Sequence, residues 1–553
     1  MIDVSNCVVY QIYPKSFKDS NGDGVGDIRG IIEKLDYLAT LGVDYLWLTP
    51  VFPSPQCDNG YDVADYCAID PVMGTMADME DLITTAKQKG MGIMLDMVFN
   101  HVSSEHEWFQ KALAGDEEYQ KYFFFMDGNP DAPPTNWKSK FFGSAWEYVP
   151  SLGKWYLHIF DKKQPDLNWE NPKVREELKK VIYFWKNKGV EGFRFDVINL
   201  ISKTGIWEDD LTGDGRKYYT DGPKIHDYLK ELTADTGLDE MITVGEMNST
   251  SLDACKKYSD PKEKELSMCF HFHHLKVDYK NGDKWSLQRP DITKLKSIMK
   301  EWQEGMQECG SWNAVFWDNH DQPRIVSRMG SEGKYWKESA KMLALCIHLM
   351  RGTPYIYQGD EIGMLNPHYR SIEKYRDVES INAYYAMMEK GLTKEETLQA
   401  LAERSRDNGR NPMQWDASEN AGFSINTPWI GCGDTYREIN VAKQLEDDDS
   451  VFCFYQKLIR CRKETEIIRK GTVEFRENGE SIVAYTRTLG EEELLVMCNF
   501  SEKIVTIPRL ELQQDMTYSV FLDSYSENSK ILRDKVQSLR PYEGIALLGK
   551  RSR

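Results

Sequence analysis

The stretch PKVREELKKVIYFWKNKGVEGFRFDVI (residues 172–198) changes its period once, at Gly189. Before that glycine, apolar residues recur at three-to-four spacing behind an opening proline, the pattern of an amphipathic helix closed by glycine. After it, EGFRFDVI (191–198) is a short aromatic and β-branched run that reads as a strand. Helix followed by short apolar strand is one unit of an α/β fold. The same unit recurs in both directions. Strand-like runs lie at 8–14, 45–50, 92–100, 241–247, 267–272, 312–319 and 353–359, with helical patterns such as 30–42 and 79–90 between them. Eight strand–helix units predict an α/β fold of the (β/α)₈ TIM-barrel class.

Two regions break the alternation. Residues 101–170 are rich in Trp, Tyr, Phe, Pro and Asn without helical period, and predict a subdomain inserted after the third strand. Beyond 471 the pattern becomes short runs separated by turn residues, which predicts a C-terminal antiparallel β-sandwich domain over 472–553. The catalytic barrel is then 1–100 together with 171–471.

The 553 residues carry a formal charge of −19, which excludes nucleic acid or an anionic membrane surface as a general partner, since both need a basic face. No apolar run of roughly 18 residues and no basic-then-apolar leader is visible. Eleven cysteines without a CxxC pair are an odd number, and fit reduced thiols in a cytoplasm.

Barrel chemistry sits at the C-terminal strand ends, so a charged residue closing an apolar strand is informative. His101 follows the third strand, Arg194 and Asp196 lie on the fourth, Glu246 on the fifth, and His320 and Asp321 follow the seventh. Three carboxylates at one mouth supply a protonated acid beside an ionised nucleophile, which suits cleavage of a glycosidic bond. A second acidic pattern lies after the first strand. In DSNGDGVGD (19–27), Asp19, Asn21, Asp23 and Asp27 with the carbonyl of Val25 offer hard oxygen ligands to one Ca²⁺; the alternative is a polar turn without metal. An EF-hand is excluded, because Gly30 occupies the place of its bidentate glutamate.

The motifs DMVFNH, GFRFDVIN, VGEM and FWDNHDQPR, in this order and at these strand ends, resemble the α-amylase superfamily of retaining glycoside hydrolases, in its cytoplasmic α-glucosidase branch. The resemblance runs over nearly the whole chain. It implies Asp196 as nucleophile, Glu246 as general acid and then base, and Asp321 as the carboxylate that grips sugar hydroxyls. It also implies a glucose-sized −1 pocket of Asp62, His101, Arg194, His320 and Arg406, and a structural calcium loop at 19–27, with no organic cofactor.

The resemblance leaves the substrate open between neighbours in that branch. Val197, directly after Asp196, resembles the enzymes acting on α-1,6 or α-1,1 linkages. The stretches 213–229, 245–250, 270–285 and 311–328 resemble trehalose-6-phosphate hydrolases. The third of these stretches begins a basic cluster of His271, His273, His274, Lys276, Lys280, Lys284 and Arg289, suited to a phosphate on a disaccharide's +1 sugar. Lys284 matches a lysine of dextran glucosidases as well, so it supports a site without naming the ligand. Phe142 in KFFGSAW stands where the branch commonly has glycine. Three expectations follow in order: a hydrolase of α,α-trehalose 6-phosphate, an oligo-1,6-glucosidase or dextran glucosidase acting on neutral isomalto-oligosaccharides, and a catalytically silent scaffold subunit.

Overall fold

The computed structural model describes residues 3–507, 512–513, 515–525 and 538–551; the remainder of the expected C-terminal domain lies outside the described residues. Eight parallel strands form the central sheet: β1 (Val9–Ile12), β2 (Tyr45–Leu48), β3 (Gly92–Met97), β4 (Gly192–Phe195), β5 (Ile242–Glu246), β6 (Met268–Phe270), β7 (Ala314–Val315) and β8 (Thr353–Tyr357). They pair in the order β7-β8-β1-β2-β3-β4-β5-β6, and the ring closes where Cys269 of β6 bridges Asn313, just ahead of β7. This is the expected (β/α)₈ barrel.

Local chemistry explains the elements. The helix Pro172–Lys188 starts on an Asn171 cap with proline in its first turn, buries Val174, Leu178, Val181, Ile182 and Trp185 along one stripe, and stops at Gly189 with φ 96°. Met76–Gln88 opens on a reciprocal Thr75/Asp78 capping box. The expected 30–42 helix is two pieces, Ile28–Glu33 and Leu35–Leu41, broken at Lys34. Inside the barrel, the rings of Trp47 (β2), Phe270 (β6) and Tyr355 (β8) meet at centroid distances of 4.6–6.0 Å and form an apolar floor. Charged side chains can then point only toward the open end.

Register fixes which charges meet. Asp96 of β3 lies beside Arg194 of β4, and Glu246 ends β5 level with Phe270 of β6. The segment between β3 and β4 carries two short helices (Glu107–Leu113 and Glu117–Gln120) and a three-stranded antiparallel sheet of Phe125–Asp127, Lys154–Leu157 and Trp146–Val149. Its core of Trp137, Trp146 and Trp155 continues into Val197, Tyr218 and Tyr219 of the loop after β4, so this segment is packed against the site's own loop.

The C-terminal region is a five-stranded antiparallel sheet in the order Thr472–Arg476, Ile482–Leu489, Glu492–Asn499, Gly544–Arg551, Met516–Asp523. It is apolar on both faces. Val483, Tyr485, Leu494 and Val496 join the barrel's core, with the Tyr485 hydroxyl donating to the Cys346 carbonyl at 2.7 Å. Ile482, Ala484, Leu495 and Met497 are covered by Ile507 and Leu539, beside the two-stranded ribbon Val505–Thr506/Ser538–Leu539. Among the described residues no helix is long and apolar enough to cross a membrane.

Candidate active site

β4 delivers Arg194 to the mouth, where its guanidinium meets three carboxylates. Nη1 donates to Asp96 at 2.6 Å and to Asp196 at 2.7 Å, and Nη2 donates to Glu246. The guanidinium lies 5.1 Å from the Trp47 ring, so the apolar floor also positions this cation. Asp96 accepts further from the Trp47 indole at 3.2 Å and the Tyr61 hydroxyl at 2.8 Å. One positive charge cannot balance three buried negative ones. Burial accordingly pushes the Asp96 carboxyl up to about 7 against the pull of Arg194, while Asp96 and Asp196 hold Arg194 protonated despite its own burial. Asp196 and Glu246 remain open to the cavity. Both bind one planar guanidinium, Asp196 through Nη1 and Glu246 through Nη2, so the two carboxyls are tied to a common anchor.

A second charged layer faces them. Asp321 accepts from Arg410 at 2.8 Å and Arg406 at 3.3 Å. Burial acts to raise its pKa, but His320, Arg406 and Arg410 outweigh that and hold it well below the usual carboxylate range. Arg406 also donates to Asp377 at 2.5 Å and Asp58 at 3.0 Å. Asp58 is pushed up to about 7 by burial, only partly offset by Arg406. His320 lies beneath the cavity, stacked on Tyr61 at 5.0 Å and hydrogen-bonded to Gln11 at 2.8 Å; burial drives its pKa down to about 3. His101 lines the cavity and bonds the Tyr61 carbonyl at 3.1 Å.

Together these groups enclose a cavity of about 240 Å³, lined by Asp58, Tyr61, His101, Asp321 and Arg406, by Asp196 and Glu246, and by Lys140, Asn248, Phe272, Lys276 and Tyr279. Three of the expected pocket residues, Asp62, Arg194 and His320, do not themselves line the cavity. Asp62 is fully buried and turned away from the cavity: it accepts from Ser54 Oγ at 2.8 Å and from the amides of Cys57 and Asp58 at 2.8 and 3.1 Å. Asp58 occupies the position expected of it. Asp96, Asp58 and Lys140 are the groups that sequence reasoning passed over. Asp96 carried a usable signal, a carboxylate inside the apolar run of β3. Lys140 carried none, since only the fold of the inserted segment brings it to the site.

The basic cluster divides. Lys276 faces the cavity, and Lys284 does too, but its ammonium is paired with Glu379 at 2.6 Å. His271 stacks on Trp302 at 3.9 Å and His274 bonds the Phe316 carbonyl at 2.9 Å; burial lowers both pKa values, so these are neutral packing groups. Lys280 is exposed, and Arg289 lines a separate groove against the C-terminal sheet.

In the 19–27 loop, Asp19 accepts from the amides of Asn21, Gly22 and Gly24, Asn21 from Asp23, and Asp23 from Val25. Asp27 caps the helix Ile28–Glu33 through Gly30 N at 2.7 Å. The donor set is all hard oxygen, as calcium requires. Among the described residues, the one group of three acids with oxygens close enough together to share a metal ion is Glu176, Glu231 and Asp235, where the Lys179 ammonium pairs with all three.

Residues 11–471 match the α-amylase catalytic-domain family. The chain belongs to the α-amylase family of glycoside hydrolases. This family member is 51% identical over 547 residues to a trehalose-6-phosphate hydrolase of Escherichia coli K12, covering 99% of this chain and 98% of that protein. It is 45% identical over 551 residues to an oligo-1,6-glucosidase of Bacillus cereus, covering 97% and 98%. The crystal structure of a Bacillus licheniformis trehalose-6-phosphate hydrolase superposes with a TM-score of 0.94 at 48% identity, covering 99% of this chain and all of that one.

Proposed function

We propose that this α-amylase-family protein hydrolyses α,α-trehalose 6-phosphate to glucose and glucose 6-phosphate. The observation that carries the reading is Lys276, a half-buried lysine that lines the same cavity as Asp196 and Glu246 with no carboxylate partner among the described residues. Relatives bearing that activity by name, at about half identity over the full chain, support it. Lys284, neutralised by Glu379, is the feature that suits the second reading, an oligo-1,6-glucosidase on neutral isomalto-oligosaccharides.

In the proposed mechanism Asp196 attacks the anomeric carbon while Glu246 protonates the leaving oxygen, which departs with glucose 6-phosphate. Glu246 then takes a proton from water, which opens the glucosyl–Asp196 bond with net retention. Arg194 anchors both carboxylates. Asp321, kept anionic by Arg406 and Arg410, accepts from sugar hydroxyls and opposes the developing oxocarbenium charge. Calcium in the 19–27 loop is part of the same proposal: Asp19, Asn21, Asp23, Asp27 and the Val25 carbonyl would hold it, as a structural brace outside the chemistry. Metal analysis of the purified protein, with a melting curve before and after chelation, tests that. Cytoplasmic residence also belongs to this reading, in keeping with eleven unpaired thiols.

The deciding experiment is parallel hydrolysis of trehalose 6-phosphate, trehalose and isomaltose. Charge-assisted bonds to phosphate predict a preference in kcat/KM of about a hundredfold for the phosphorylated sugar. Isomaltose turned over as well or better would overturn the assignment.

A further inference from the structure

Lys140 belongs to the inserted segment, yet it lines the barrel's cavity together with Glu246. Its backbone amide is fixed to the Ile159 carbonyl at 2.8 Å, and Nζ donates to Asn248 Oδ1 at 3.0 Å. Asn248, two residues past Glu246, is itself locked: its amide donates to Asn199 Oδ1, and Asn199 Nδ2 donates back to its carbonyl, both at 2.9 Å. Among the described residues no carboxylate lies within ion-pair reach of Lys140. Lys140 is half-buried; the buried Lys203 and Lys179 are neutralised, by Asp166 at 2.7 Å and by Glu231 at 2.8 Å. Burial pulls the Lys140 pKa down to about 7, reinforced by Arg216 and Lys276, with Asp214 and Asp166 acting more weakly in the other direction. Lys276 feels Arg216 in the same way. Lys140 and Lys276 thus line the cavity without a carboxylate of their own, although Asp196 and Glu246 line it too, and two unpaired ammonium groups suit an anion.

We propose that Lys140 is a specificity-determining residue that, with Lys276 of the same cavity, clamps the phosphate dianion of the leaving sugar. The inference rests on the phosphorylated-substrate reading above. One of the three N–H bonds of Lys140 is spent on Asn248, and two remain for phosphate oxygens. Because Asn248 and Asn199 follow Glu246 and Asp196 on their loops, the clamp sets the phosphate at a fixed distance from the cleaved bond.

The test compares kcat/KM on trehalose 6-phosphate and on trehalose for the wild type, Lys140→Met, Lys140→Arg and Lys276→Met. Lys140→Met is expected to lower the phosphate preference at least tenfold, and Lys140→Arg to restore much of it. Glucose 6-phosphate as a competitive inhibitor of a neutral aryl glucoside should weaken in parallel. If the wild type prefers the phosphate and Lys140→Met keeps that ratio, or loses both substrates equally, the role of Lys140 is overturned while the function stands. A wild type with no preference removes the function itself, and this inference with it.

Discussion

Asp58 and Asp62 are four residues apart, but the chain reverses between them through Asn59 and Gly60, at φ 51° and 105°. One carboxyl therefore enters the cavity, and the other staples the turn behind it. Replacing each by alanine should separate the two roles. Asp58→Ala removes a partner of Arg406 within the glucose pocket, and kcat/KM should fall a hundredfold or more with the melting temperature little changed. Asp62→Ala strips the acceptor from two amides and a hydroxyl, costing about 2–3 kcal/mol in urea unfolding, with a smaller loss of kcat/KM. The reverse pattern would restore Asp62 to the pocket. Phe142 is the other informative residue. At φ 76° it holds a bulky side chain in the left-handed region while 44% exposed, which explains why glycine suits the position. Phe142→Gly relieves strain of about 1–2 kcal/mol and gives back part of it as unfolded-chain entropy. A net gain of about 0.5–1 kcal/mol is expected; a loss would mean that the ring packs on something essential.

At the scale of elements, the loops after β4 and β5 are joined by one carboxylate. Asp221 accepts from Tyr258 OH at 2.6 Å, Thr250 Oγ1 at 2.9 Å and Asn199 Nδ2 at 3.1 Å, and Asn199 in turn holds Asn248. Asp221→Ala leaves these donors without their acceptor and should cost about 2–4 kcal/mol, while lowering kcat more than it raises KM, since the acid's loop shifts relative to the nucleophile's. Stability loss with unchanged kcat would show that the loops are placed independently. This joint marks where sequence reading stops. Strand ends are legible because a charge closing an apolar period-two run is rare and local, which is why Arg194, Asp196, Glu246, His320 and Asp321 could be picked out. The eight strand–helix units are legible for the same reason. Lys140, Asp58 and the pairing of Lys284 with Glu379 are not, because loops 95 to 348 residues apart bring their partners together, and no local period encodes that.

For the whole molecule, acid is the predicted weakness. Of ten histidines, eight have pKa values lowered by burial, among them His106 and His274 to about 4 and His348 to about 3. A depressed folded-state pKa means that the unfolded chain binds protons the folded chain refuses. The histidine contribution is therefore whole above about 6.5 and is lost as pH falls from there toward 4, at about 1.4 kcal/mol per unit for each histidine fully engaged. Asp58 and Asp96 work in the opposite sense: raised to about 7, they take up protons in the folded state over the same range and return part of the loss. Glu265, Asp318, Asp360, Glu361 and Asp407, raised by burial, and His368, raised by Glu332, add to that return; the slope is the balance of the two sets, and the histidine sign is the expected one. Urea midpoints at pH 7.5, 6.5 and 5.5 should be nearly equal for the first two and clearly lower at the third. Activity is the wrong readout for this, since Asp58 and Asp96 change charge within the site near pH 7. A midpoint that holds or rises at pH 5.5 would mean that some of these histidines gain a proton inside the fold, and the His271–His274 packing against Trp302 and Phe316 would be the first place to look.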